Sequence, residues 1–328
     1  MRYLPKLRIC REDVMTHCVE GALHSMNTPT GVLPLVSVVV PTRNRPDMLA
    51  DALASVRAQT FENYEIIVIS NGEGANAQAT RAVAATCGAR YFELGIGNAS
   101  IARNCGIKHA KGEWVAFLDD DDLWLPRKLE WQLSEAERTG ADMIFGDFVE
   151  FYPDGREIIR RSCLLDGWSY TKTFNHASWC VQPSTTMVRR HVFAEIGAFD
   201  PRLRYDEDLD LWRRISWHHA IHQIAAILVR QRRGHVHLMH PRFERTRYFY
   251  NLRYFLKVRR DTPRDLHATL PPAAVVIPML VGICAPTWLL TFLHWFGPRM
   301  RWLEFRRWLG RGLKRLRSSV NTIRDEHI

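Results

Sequence analysis

Between residues 35 and 151, short apolar runs alternate with stretches of helical periodicity, and this alternation constrains the fold more than any other feature. LVSVVVP (35–41) is a β-branched run closed by proline, as in a buried strand. In PDMLADALASVRAQT, Leu49, Leu53 and Val56 recur at helical spacing, with Pro46 suited to a first turn. YEIIVIS (64–70), ARYFELG, EWVAFLD (113–119) and ADMIFGDFVEFY read as further strands. Ala75–Cys87, SIARNCGIKHAKG (100–112) and LPRKLEWQLSEAERTG read as the helices between them, stopped by glycines. Such a pattern builds an α/β fold on a largely parallel sheet. Right-handed crossovers then gather the strand ends at Pro41, Ser70 and Asp119 along one edge, where sheets of this kind bind ligands.

Charge is unevenly spread. The net charge is +10, but residues 299–317 hold eight Arg or Lys against Glu304 alone. The body is therefore near neutral, which argues against a nucleic-acid groove. The seven cysteines include no Cys-x-x-Cys pair, a pattern that suits a reducing compartment. Residues 1–34 are aperiodic and read as a poorly ordered extension, with Met26 as a candidate start. They contain no continuous apolar segment of the secretory kind.

Two acidic clusters carry the chemistry. AFLDDDDLWLP (116–126) sets Asp119, Asp120, Asp121 and Asp122 where a buried strand emerges. Carboxylates this close raise one another's pKa unless a cation neutralises them. Oxygen ligands of this kind suit Mg²⁺ or Mn²⁺. An isolated run of aspartates reads as readily as a solvated turn. The second cluster is Asp206-Glu207-Asp208, with Asp210 beyond, at the entry to a helix whose dipole alone would favour acids.

Taken together, VSVVVPTRNRPDML (36–49), ASVRAQTFENYEIIVISNG (54–72), SIARNCGIKHAKGEWVAFLDDDDLWLPRKLEWQ (100–132) and PSTTMVRRHVFAEIGAFDPRLRYDEDLDLWRRI (183–215) resemble the family 2 glycosyltransferases. The resemblance implies an α/β fold of GT-A type, a mixed, mostly parallel sheet flanked by helices. It implies a nucleotide-sugar donor and a divalent metal as cofactor, in an inverting reaction. By the same resemblance, Asp119-Asp120-Asp121 is the Asp-x-Asp element, in which Asp121 holds the metal and Asp119, nearer the ribose, and Asp120 bind the nucleotide-sugar, and Asp208, beside Glu207, is the catalytic base. Pro41, Thr42, Arg43, Asn71 and Arg103 match nucleotide-sugar-binding positions. Arg43 stands where an aromatic is common, and Ser70-Asn71 where the family usually has two aspartates, which leaves the base open. His235 corresponds to a histidine that completes the metal site in some GT-A enzymes.

The expected organisation is an extension over 1–34, a glycosyltransferase domain over 35–240, a helical connector over 241–265 and membrane-associated helices over 266–328. Residues 266–298 contain no Asp, Glu, Lys or Arg, but Pro278 and Pro286 interrupt them. Trp302, Phe305, Leu309, Leu313, Leu316 and Val320 then form the apolar side of a basic amphipathic helix, as at a membrane surface. A single crossing would carry the basic tail to the far side, against the positive-inside tendency. A re-entrant or surface-lying pair of helices at the cytoplasmic membrane face is the favoured reading, and a true span the other. A glycan or lipid-linked acceptor fits that location. A nucleotidyltransferase would need a glycine-rich phosphate loop after the first strand, and PTRNRPDM has no glycine. A non-catalytic membrane scaffold would have no use for Asp208 or the tetrad.

Overall fold

The computed structural model describes residues 18–20, 33–95, 98–161, 181–234 and 244–269. In chain order these form β1 (Cys18–Glu20), β2 (Val36–Thr42), α1 (Pro46–Arg57), β3 (Tyr64–Ser70), α2 (Gly74–Thr86), β4 (Arg90–Leu94), α3 (Ala99–His109), β5 (Trp114–Phe117), β6 (Asp122–Trp124), α4 (Lys128–Thr139), β7 (Met143–Phe151) and β8 (Glu157–Arg160). After a short 3₁₀ turn, Pro183–Thr185, come β9 (Met187–Arg189), α5 (Arg190–Ile196), α6 (Glu207–Ser216), β10 (Ile221–Arg232) and α7 (Glu244–Asp261).

The described strands form one mixed sheet in the order β1-β4-β3-β2-β5-β9-β7-β10-β6, with β8 paired to β7. β2 explains why its segment sits at the centre. Val36, Val38 and Val40 pack on one face with Leu49, Leu53 and Val56 of α1, while Val39 packs on the other with Ile67, Phe117 and Ala102. Period-two alternation with apolar residues on both sides requires helices on both faces. α3 lies especially close to β2: a Cβ at Gly106 would fall 2.2 Å from Val39 Cγ1. Only glycine lets this helix approach so closely, and the approach carries Arg103, one turn earlier, to the sheet edge.

The sheet is less parallel than the alternation suggests. Parallel pairing is confined to β4-β3-β2-β5 and to β7-β10. β9 runs antiparallel between β5 and β7. At three residues it is too short to show a periodicity in sequence. Within the segment expected to lack order, Cys18–Glu20 pairs antiparallel with β4. Cys105 is disulfide-bonded, whereas Cys87 is free. Sequence spacing detects only neighbouring cysteines, so it missed a bond made by the fold.

The chain divides into two compact units, one of Met1–His240 with Arg253–Ala273, the other of Pro241–Leu252 with Ala274–Ile328. In the first unit Asp210 of α6 is fully buried and accepts from Arg213 (2.9 Å), Arg214 (2.9 Å) and Lys257 of α7 (2.5 Å). Burial alone would raise its pKa, but Arg214, Lys257 and Arg213 hold it below the usual carboxylate range. Asp210 therefore anchors α6. Of the second unit only the backbone of the start of α7 is described. No helix among the described residues is long and apolar enough to cross a membrane, and the apolar segment and basic tail beyond residue 269 lie outside them.

Candidate active site

Strands β2, β3 and β5 run parallel, so their ends lie side by side, with Thr42 opposite Ser70 in the register. Thr42 and Asn71 are buried there, and the Asn71 N–H donates to the Thr42 carbonyl at 2.9 Å. Asp119, Asp120 and Asp121 follow β5, and Asp122 opens β6.

Each member of the tetrad has a different environment. Thr42 Oγ1 donates to Asp120 Oδ2 at 2.7 Å. Arg45 donates to Asp121 Oδ2 at 2.8 Å and lies 3.3 Å from Asp120 Oδ1. Arg103 donates to Asp119 Oδ1 at 2.7 Å. Ser184 Oγ accepts from the Asp119 N–H at 3.1 Å and donates to Asp122 Oδ2 at 2.6 Å. The antiparallel course of β9 makes this last contact possible, because the turn that leads into it lies at the same edge as the end of β5. Burial, reinforced by Asp121, pushes Asp120 up to about 7 despite the opposing pull of Arg45. Burial likewise holds Asp122 well above the usual carboxylate range.

Arg103 joins the two acidic clusters. It is buried, and its second arm donates to Glu207 Oε1 at 3.0 Å in the first turn of α6. Its guanidinium also lies over the Phe199 ring, 5.4 Å from the centroid. Burial would lower the Arg103 pKa, but Asp119 and Glu207 raise it, so it stays cationic. Asp206 precedes the helix in the left-handed region, at φ 58° and ψ 21°. Non-glycine residues seldom adopt this conformation, and such strain clusters at functional sites. Asp208 accepts from the Leu209 N–H at 2.8 Å. Burial, reinforced by Glu207, pushes it up to about 7. A carboxylate with that pKa is suited to take a proton near neutral pH.

The structure thus brings together Thr42, Arg103, Asp119, Asp120, Asp121 and Glu207 in one network, with Asp208 beside it. Pro41 ends β2 next to Thr42. Asn71 Oδ1 is buried without a hydrogen-bond partner, so it is an acceptor left open at the strand edge. Arg43 is exposed, and the guanidinium that meets the carboxylates is that of Arg45. His235 lies outside the described residues. Sequence reasoning missed Arg45 and Ser184. Both stand inside the motif stretches, and the demand of four aspartates for a cation, read in the sequence as a metal, is one that an arginine also meets. Only the turn through Asn44, at φ 56°, decides which one comes back to the site.

Residues 37–197 match the model of glycosyl transferase family 2. The chain carries a family 2 glycosyltransferase domain. An uncharacterized glycosyltransferase of Rickettsia felis is 31% identical over 206 residues, a span of 61% of this chain and 34% of that one. The chain spans about a third to two thirds of the length of the curated relatives it matches. Among solved structures, the domain shares the fold of S. aureus TarS 1–349 in complex with UDP-GlcNAc, at a TM-score of 0.58 and 17% identity, over 84% of this chain and 78% of that one. The mannosyltransferase PcManGT of Pyrobaculum calidifontis, in complex with GDP-Man and Mn²⁺, aligns at a TM-score of 0.52 and 16% identity, over 85% of this chain and 84% of that one.

The residues of this candidate site fit a hard divalent cation. Its donors are carboxylate oxygens, and Asp120, whose pKa burial and then Asp121 raise despite Arg45, would be favoured in its charged form by such an ion.

Proposed function

We propose that the chain transfers a sugar from a nucleotide-diphosphate sugar to a hydroxyl of a glycan or lipid-linked acceptor, with inversion at the sugar carbon. The observation that carries this reading is the Arg103 bridge, which holds Asp119 of one cluster and Glu207 of the other on a single guanidinium. Donor-binding and proton-accepting carboxylates are thereby fixed in one site. Asp121 would hold Mg²⁺ or Mn²⁺, which when bound neutralises charge on the departing diphosphate, with Asp119 nearer the ribose.

The chain's own groups do the rest. Asn71 Oδ1, buried and unpartnered, takes an N–H of the base. Pro41 and Thr42 line the edge beside it. Arg43 and Arg45 offer guanidinium groups to phosphate, a geometry that suits arginine. Asp208 takes the acceptor hydroxyl's proton as that oxygen attacks, and one base opposite one leaving group is the arrangement of a single displacement. Glu207 holds Arg103 in place. The solved complexes with UDP-GlcNAc and GDP-Man plus Mn²⁺ support a nucleotide-sugar donor. The basic amphipathic pattern after residue 298 supports work at the cytoplasmic membrane face, where the acceptor would lie.

The test is turnover against a panel of nucleotide-sugars with a membrane fraction as acceptor, for the wild type and Asp208→Asn. Transfer that disappears in the variant while donor binding survives supports the assignment. Equal transfer by both proteins refutes Asp208 as base.

A further inference from the structure

A second group of metal-ligating side chains lies at the other edge of the sheet. Asp142 immediately precedes β7, His191 and Glu195 share one face of α5, and His219 follows α6. One ligand atom each from Asp142, His191 and His219 lie within 4.8 Å of one another. His219 Nδ1 is 3.1 Å from Asp142 Oδ2, and His191 Nε2 is 3.9 Å from Asp142 Oδ1. Glu195 closes the group: its Oε2 is 3.5 Å from His219 Nε2 and its Oε1 is 3.9 Å from His191 Nε2.

These residues are held in place by the backbone. The Asp142 N–H donates to the Ala220 carbonyl at 2.8 Å, and the Asp142 carbonyl accepts from the Arg189 N–H at 2.8 Å. Three segments far apart in sequence are thereby fixed around one point. The side chain of His219 is only 7% exposed, yet its buried Nε2 makes no hydrogen bond. Nδ1 is the ring nitrogen that faces Asp142, and Nε2 turns toward Glu195, so a metal bound at Nδ1 would leave Nε2–H to that carboxylate, the outer partner by which histidines are prepared for a metal. Arg189 Nε also lies 3.5 Å from Asp142 Oδ1.

We propose that Asp142, His191 and His219, the last through Nδ1, bind a transition-metal ion of the zinc class, with Glu195 as the outer partner of His219 Nε2. Two imidazoles and carboxylate oxygens form an N/O set that suits Zn²⁺ or Co²⁺ over Mg²⁺. Tetrahedral zinc sets its ligand atoms roughly 3.4 Å apart, close to the 3.1 Å and 3.9 Å that separate Asp142 from His219 Nδ1 and His191 Nε2, so a small rotation of half-exposed His191 closes the site. The site is separate from the tetrad. Arg189 pairs with Trp114 at the start of β5, whereas Asp119 follows the end of that strand, roughly 16 Å away along an extended chain. An ion here would clamp α5, the end of α6 and the start of β7, and so steady the helix that begins with Glu207 and Asp208.

The experiment titrates the metal-free full chain with Co²⁺, follows the visible absorption of tetrahedral cobalt, and then displaces it with Zn²⁺. The expected result is one equivalent in the wild type and in Asp121→Ala, loss of the band in His191→Ala, and a rise in melting temperature with Zn²⁺ that His191→Ala abolishes. His191 is half-exposed, so its replacement leaves the fold intact, and His219→Gln provides a second variant. The proposal is overturned by no stoichiometric cobalt band, by a band unaffected in His191→Ala, or by a band lost in Asp121→Ala, which would assign the ion to the donor site.

Discussion

Arg45 donates to Asp121 at 2.8 Å and thereby supplies a cation to the residue expected to hold the metal. Four consecutive carboxylates at a strand end need compensation, and two arginines provide it, Arg45 from the loop after β2 and Arg103 from α3. Arg45 then has a choice of partners, the carboxylates before the donor binds and the diphosphate afterwards. Replacing Arg45 by Met removes a competitor of the metal. Mn²⁺ binding without nucleotide should tighten by roughly fivefold, the equivalent of about 1 kcal/mol for a partly exposed ion pair. Donor affinity should fall at the same time. Calorimetric titration of each ligand checks the two opposite signs, and a change of the same sign in both would contradict the exchange.

Arg103 is a positioning residue. Its fork reaches two carboxylates at once, and the single ammonium of lysine cannot reproduce that geometry. In Arg103→Lys, turnover should fall roughly ten- to a hundredfold through misplacement of the two clusters. Circular dichroism should still report a folded chain. Wild-type turnover in this variant would show that the bridge is dispensable.

The pH profile follows from Asp208. Its carboxyl is pushed up to about 7 by burial and by Glu207, and the base acts only when ionised. Turnover at saturating donor should therefore be low in acid and rise with pH through about 7. Asp208→Asn should lose roughly a hundred- to ten-thousandfold in turnover, the range for a general base. A profile flat across neutrality would remove Asp208 from that role.

Asp210 should behave differently from its neighbour. Replacing it with Asn leaves Arg213, Arg214 and Lys257 buried around a neutral amide. Breaking a buried ion pair from one side costs about 3–5 kcal/mol, so the melting temperature should drop sharply. Donor binding per folded molecule should be kept. Both quantities are accessible to thermal denaturation with and without nucleotide.

The sequence announces those parts of the fold whose signal is local. β2 and β3 are β-branched runs, β5 is a short apolar one, and α4 ends at Gly140, whose φ is 68°. Short strands carry no such signal. Asp122–Trp124 reads as the tail of an acidic turn, and becomes β6 only because β10 pairs with it. The same limit applies at the site. Asp119, Asp121 and Asp208 stand out by type and spacing, but Arg43 and Arg45 differ only in how a turn through Asn44 points them. Ser184 needed the reversal of β9, a long-range event that no stretch of ten residues records.

The most direct test of the central claim is nucleotide-sugar binding by the wild type and Asp121→Ala, with Mn²⁺ and with chelator. The account predicts binding of at least one donor that requires the metal and is lost in Asp121→Ala. Binding that is indifferent to chelator and unchanged by the substitution would contradict it.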